Sequence, residues 1–371
     1  MEQANQRSPG GGMGGISSGP LRLALSIIMG IALFFVFRWS FLFMRDSEAS
    51  KFTIALVALA IGIFGIWAMF IVLNDLVSHL PERLAETLRP FVFVGPALLL
   101  LTLYVVYPSI NTIYISFYGP RSENFVGLEN FIFIFTDPKM LITLRNNLLW
   151  LILVAGVAVP MGLLIAVMSD RLTRGESLVK STIFLPMAIS AAGAGVIWKF
   201  IYSFQPASRP QIGLLNAVVV WFGGDPVGWL ITKPWNNIFL IIVMIWGITG
   251  FAMVVISAAI KGVPGELLEA ARIDGAGEIR IFFNIIIPSI QGTLVTITTT
   301  ILIMVLKVFD IVFVMTSGQF DTQVIASRMY DEMFRFRNFG RGSALAVLLL
   351  VAVVPVIIGN IRDVRRKREV G

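Results

Sequence analysis

The strongest constraint on this chain is the length of its apolar runs. Residues 53–73 pass without a charged side chain, and other stretches follow much the same pattern. A helix needs about 20 mostly apolar residues to cross the hydrocarbon of a bilayer. Candidates fall near 22–43, 53–77, 91–117, 143–168, 180–203, 237–260, 285–315 and 343–362. Inside a bilayer each backbone N–H and C=O must be satisfied within the segment or by a closed barrel, so runs of this length predict helices. The expected fold is therefore an all-α membrane protein with about eight transmembrane helices. Composition agrees: 57% of residues are apolar and 14% charged, against about a quarter charged in soluble domains.

Several chemistries are excluded. The chain has no cysteine and a single histidine, His79, so thiolate and histidine-cluster metal sites are ruled out. No glycine precedes a lysine, so there is no Walker A phosphate cradle. A ladder of intramembrane carboxylates, expected of a proton-driven carrier, is missing too. No cofactor, metal or catalytic constellation is expected. If the protein moves a solute uphill, the energy has to come from another subunit.

The net charge of +7 reads as a membrane-topology signal. An even number of spans puts both termini on one side. The C-terminal cluster of Arg362, Arg365, Arg366, Lys367 and Arg368 marks that side as cytoplasmic. Arg171, Arg174 and Lys180, after the fourth span, fall on the same side. Arg328, Arg335, Arg337 and Arg341, between the last two spans, argue the other way. Residues 1–20 are rich in Gly and Ser and read as a disordered cytoplasmic tail, not as a signal peptide.

Charges within spans are candidates for function. Arg38 and Lys199 lie near span ends and fit snorkelling. Lys307 and Asp310 stand three apart in LKVFD, which suits either a local i,i+3 ion pair or the wall of a polar cavity. Trp246, Gly247, Thr249 and Gly250 interrupt the sixth span. Glycines there permit close helix approach or a break of the kind that forms transporter sites. Trp246 suits either packing or the face of a sugar.

One stretch stands out as polar: ELLEAARIDGAGEIRIFFNIIIPSI, residues 266–290. Pro264 and Gly265 end the sixth span and open a new helix, with Glu266 in its first turn. Glu269 and Arg272 are spaced as an i,i+3 pair, and Gly275 permits a sharp bend. A second short helix, about 277–284, would lead to Pro288 at the start of the seventh span. Composition alone fits an amphipathic linker on the membrane surface.

The spacing of Glu269, Ala270, Ala271, Gly275, Ile285 and Pro288 resembles the EAA motif of ATP-binding-cassette importer permeases, with Ile287 where leucine is usual. YPSINTIYISFYG (107–119), FVGLENF (125–131) and LKVFDIVFVMTSGQFDTQ (306–323) are similar to segments of MalF-like subunits of carbohydrate importers, and the ending resembles the alpha-glucoside branch. The resemblance implies a type I importer (MetI-like) core of six helices over 81–365, with two extra helices over 21–80. It also implies a cytoplasmic coupling loop over 264–284 and a basic tail over 366–371. It further implies a prokaryotic plasma-membrane location and a non-catalytic role. The implied partners are a MalG-like second permease, two copies of a cytoplasmic ATPase and an external sugar-binding protein. By resemblance, Glu269, Ala270, Ala271, Asp274, Gly275 and Pro288 would couple to the ATPase. Trp246, Thr249, Lys307 and Asp310 are the candidates for the substrate pathway. A stand-alone secondary carrier for a small polar solute is the alternative.

Overall fold

The computed structural model describes residues 19–368. The expected N-terminal tail therefore falls almost wholly outside the described residues, and the basic C-terminal tail partly so. Among the described residues there is no sheet, only an isolated bridge between Tyr118 and Phe125. The chain divides into two compact units, Met1–Ser109 and Ile110–Gly371.

The first unit holds helices α1 (Gly19–Asp46), α2 (Lys51–Ser78) and most of α3 (Glu82–Ile115). The Ser26 hydroxyl donates to Asp75 across α1 and α2, and Phe70 stacks on Phe93 at 5.9 Å between α2 and α3. Most other large side chains on these helices are exposed. That pattern suits a solvent of lipid tails rather than water.

The second unit is built on α4 (Glu129–Thr136), α5 (Pro138–Asp170), α6 (Glu176–Phe184), α7 (Ala191–Ile201), α8 (Leu214–Trp221) and α9 (Asn236–Lys261). It continues with α10 (Gly265–Ile273), α11 (Glu278–Leu306), α12 (Asp310–Met315), α13 (Ile325–Tyr330) and α14 (Phe339–Arg368). Its core joins Trp150 and Val154 of α5, Leu240, Met253 and Ile256 of α9, and Ile297 and Ile301 of α11. Helix α9 is the centre, with 44% of its most apolar window buried against 6% for α1. Small residues bring the helices together. A Cβ on Gly162 would stand 2.7 Å from that of Ala252, and one on Gly250 would lie 2.4 Å from the Ile183 carbonyl oxygen. Gly250 thus serves close approach, while α9 runs on without a break.

Among the described residues seven helices are long and apolar enough to span a bilayer, and one bent pair makes an eighth candidate. The bent pair is the expected fifth span. Instead of running straight over 180–203 it turns by 99° between Ala188 and Ala191. Pro186 sits in a tight turn over Leu185–Ala188, Ile189 is extended, and the Ser190 hydroxyl caps the next helix by accepting from the Gly193 amide at 3.1 Å.

Two further expectations are corrected. No separate short helix covers 277–284; α11 starts at Glu278 and runs into the seventh span through a π-helical turn at Phe282–Ile286. Pro288 therefore lies inside a continuous helix, where the widened turn just before it accommodates a residue lacking its N–H. At its far end α11 stops at Leu306 instead of continuing to 315. Lys307 follows its last turn and Asp310 opens α12. Each charge thus meets the helix end that its sign favours.

Candidate functional site

Helix α10 begins after Pro264, which ends the turn following α9, and carries Glu266 in its first turn. Its C-terminus is a Schellman motif. The Ala276 amide donates to the Ala271 carbonyl at 2.9 Å and the Gly275 amide to the Arg272 carbonyl at 3.1 Å. The motif needs a left-handed residue just past the cap, and Gly275, at φ +80°, supplies it after Asp274. The bend is therefore made by backbone and glycine.

The expected Glu269–Arg272 ion pair is absent. Arg272 reaches across the bend instead, its Nε donating to Glu278 Oε1 at 2.9 Å. That hydrogen bond holds the guanidinium above its already high ordinary pKa. Arg171 approaches the same carboxylate at 3.9 Å. Glu269 is left exposed, with no ion pair or hydrogen bond from its carboxylate among the described residues. No residue of α10 is buried. Ile273 at its end is 86% exposed and Leu267 is 50% exposed. Apolar helix surface exposed beside a carboxylate, outside the membrane spans, is the kind of surface that interaction sites use.

A cavity of about 470 Å³ lies between α5, α6 and α9, where Met161, Ile183, Ile245, Trp246 and Thr249 form much of the wall. Trp246 also meets Trp198 edge to face at 5.5 Å. The Thr249 hydroxyl donates to the Ile245 carbonyl at 2.6 Å, so its donor is used within its own helix. No charged side chain lines this space. Lys307 is elsewhere, at a separate apolar cavity of about 620 Å³ with Phe309, Tyr330 and Phe334. Lys307 and Asp310 are both exposed and form no ion pair with each other or with another described residue. The four expected pathway residues are therefore not brought to one site. Trp246 and Thr249 share a cavity, and the two charges flank a helix break outside it.

The other end of α5 and α9 holds a polar lattice that no motif announces. Asn146, Asn147, Asn236 and Asn237 are all buried. Asn146 Nδ2 donates to the carbonyls of Asp321 (2.7 Å) and Gln323 (2.9 Å). Asn236 Nδ2 donates to Phe320 O (2.7 Å), Asn237 Nδ2 to Asp321 O (3.1 Å), and the Ile325 amide to Asn147 Oδ1 (2.6 Å). These bonds hold a loop in which Ser317, Phe320 and Asp321 adopt φ of +52°, +57° and +61°. Three of the four arginines that opposed the charge bias are engaged close by. Arg328 pairs with buried Glu332 at 2.6 Å, Arg335 with Asp331 at 3.2 Å, and Arg341 lies 3.8 Å from the Phe133 ring centre.

Residues 158–368 match the pattern of the family described as "Binding-protein-dependent transport system inner membrane component". The chain belongs to this family. It is 56% identical over 277 residues to the "Osmoprotective compounds uptake permease protein GgtC" of Synechocystis sp., an alignment covering 75% of this chain and 99% of that protein. It is 50% identical over 286 residues to the "Alpha-glucoside transport system permease protein AglF" of Rhizobium meliloti, covering 77% of this chain and 85% of that protein. The fold matches a chain of a bacterial ABC transporter that imports the acidic polysaccharide alginate, with TM-score 0.67 at 22% identity, over 77% of this chain and 99% of that one. The protein is thus a multi-pass permease subunit of an importer, and the stand-alone carrier is set aside.

Proposed function

We propose that this chain forms half of the translocation pathway of an ATP-driven importer for a neutral, hydroxyl-rich solute of the alpha-glucoside or oligosaccharide class. The name of the AglF relative, an alpha-glucoside permease, supports that class. So does the uncharged wall of the Trp246 cavity, because a charged substrate would need a counter-charge in so apolar a setting. Trp246 offers an aromatic face to the C–H side of a sugar ring. A MalG-like second permease completes the pathway, and an external binding protein delivers the solute.

The observation that carries the coupling half of the reading is the exposed, unpartnered α10 with its free Glu269. Two cytoplasmic ATPase subunits hydrolyse the ATP. One of them receives Glu269, Ala270, Ala271 and Asp274, with Gly275 setting the angle of the helix and Pro288 at the start of the seventh span. In this reading α10 and both chain termini face the cytoplasm. The test is uptake of labelled saccharides by the whole reconstituted importer. Glu269→Lys combined with Gly275→Asp should abolish uptake and release the ATPase from the purified complex. Retention of both would overturn the coupling assignment. Trp246→Ala should raise the saccharide concentration needed for half-maximal uptake while the ATPase stays bound.

A further inference from the structure

The three elements that wall the Trp246 cavity are joined, at their α10 ends, by one ammonium group. Lys180 of α6 donates to Asp170 Oδ1 at the end of α5 (2.5 Å), to Glu176 Oε1 one turn back (2.6 Å) and to the Ser257 hydroxyl on α9. The Ser257 hydroxyl donates onward to Asp170 Oδ1 at 2.7 Å. Lys261, at the end of α9, closes the ring by donating to Glu176. The side chains of Lys180 and Asp170 are only 17% and 12% exposed, and Ser257 is buried. The cluster is charge-balanced, two lysines against two carboxylates, and it is sheltered at its Lys180–Asp170 centre while Lys261 stands exposed at its edge.

Its position matters more than its strength. The next residue after Asp170 is Arg171, which approaches Glu278, the partner of Arg272 on α10. Lys261 is separated from α10 only by Gly262, Val263 and Pro264. Toward the membrane, Thr182 and Ile183 of the cavity wall stand two and three residues after Lys180 on α6. Thr249 stands eight residues before Ser257 on α9, about 12 Å along the helix axis. Two links therefore run from α10 toward the cavity helices, one to the end of α9 through residues 262–264 and one to the end of α5 through Glu278 and Arg171, and these ends are held to α6 and to one another at Lys180.

We propose that Lys180 is a positioning residue that carries the displacement of α10 to the cavity walls, keeping α5, α6 and α9 moving as one body. This rests on the coupling role of α10 argued above. A purely structural cluster would cost assembly when broken, whereas a transmission cluster costs coupling in a complex that still assembles.

The experiment compares uptake per ATP hydrolysed in the reconstituted importer with the amount of ATPase bound to the purified complex. Lys180→Met should lower uptake per ATP by about fivefold or more, the range typical of coupling between sites, with the ATPase still bound. Lys180→Met leaves two carboxylates, Asp170 and Glu176, facing Lys261 alone, so one charge is stranded, and Lys180→Met with Asp170→Asn is made as well. The double variant removes the stranded charge and should assemble at the native level, but its uptake per ATP should stay low. Lys180→Arg should restore most of it, because it keeps the cation. Recovery of native uptake per ATP in the double variant would overturn the proposal, as would failure of both Met variants to assemble. If Glu269→Lys leaves the ATPase bound and coupled, the α10 reading fails instead, and the two failures are told apart.

Discussion

At the end of the second unit where α9 begins, four buried asparagines spend their side chains on the backbone of a single loop. At the end where α9 runs out, α10 has no buried residue and Glu269 has no partner. Both regions are polar and both follow from the same two helices, α5 and α9. The first spends most of its polar groups internally, leaving Asn147 Nδ2 and Asn237 Oδ1 without a hydrogen-bond partner among the described residues, and fixes a loop with three non-glycine residues at positive φ. Such conformations persist only where the surroundings over-determine them. The second leaves hydrogen-bonding capacity and apolar surface unused. A region finished by its own chain should be sensitive in the isolated subunit. A region finished by another protein should be sensitive only in the complex.

The largest effect on the isolated subunit is expected at the asparagine end. Asn146→Ala leaves the Gln323 carbonyl without its side-chain donor and the Asp321 carbonyl with Asn237 alone. Stranding a buried polar group costs about 1–3 kcal/mol, so the variant should lower the detergent-solubilised subunit's melting temperature by several degrees. An unchanged melting temperature would show that the loop does not need the lattice, and the contrast between the two ends would collapse.

The two ends also differ in how far they could be read from sequence. The α10 bend is local. Pro264, Gly265 and Gly275 are start and stop signals within a dozen residues, and they fold as such. The asparagine lattice is not local, because Asn146 and Asn147 bond residues 175–178 positions away. In sequence these asparagines look like ordinary residues near helix starts. The Lys180 cluster was hidden for a similar reason. Lys180 and Arg171 read as loop charges on the basic side, and only folding brings Asp170 and Ser257 to that ammonium. Spacing misled at Arg272, because an i,i+3 rule cannot see a carboxylate across the Gly275 bend. It misled at Lys307 and Asp310 as well, because the rule presumes a helix that ends at Leu306. The spans were legible because burial in lipid needs only length and apolarity, but hydropathy is blind to the 99° bend after Pro186.

A smaller and more local effect is expected at Gly275. A side chain forced into the left-handed region costs about 1–2 kcal/mol, and no atom stands within 4 Å of a Cβ built there. Gly275→Val should therefore leave global melting almost unchanged. Amide exchange should instead quicken over Ala270–Ala276, where the Schellman bonds lie. Gly275→Asn should be milder, since asparagine tolerates this conformation better. Equal exchange in the Val variant and the native protein would mean that the bend is set by the Arg272–Glu278 pair rather than by the glycine.

The smallest effect on the subunit alone is expected at Glu269. Its carboxylate makes no hydrogen bond or ion pair in the described chain, its charge only adding to the field at Arg272, and exposed substitutions away from caps and cores usually stay within about 0.5 kcal/mol. Glu269→Ala should melt with the native subunit to within the error of the measurement. Removing Glu269 from the whole importer is different, because a charge that ends up desolvated against a partner can cost about 2–5 kcal/mol of binding when truncated. ATPase retention on the washed complex should then fall at least about tenfold, which corresponds to 1.4 kcal/mol. A drop in melting temperature without loss of ATPase would reverse the reading. It would make Glu269 a structural residue of α10 and leave the exposed Ile273 as the better candidate for the contact. Silence in the subunit together with loss in the complex is the signature of a surface that another chain completes.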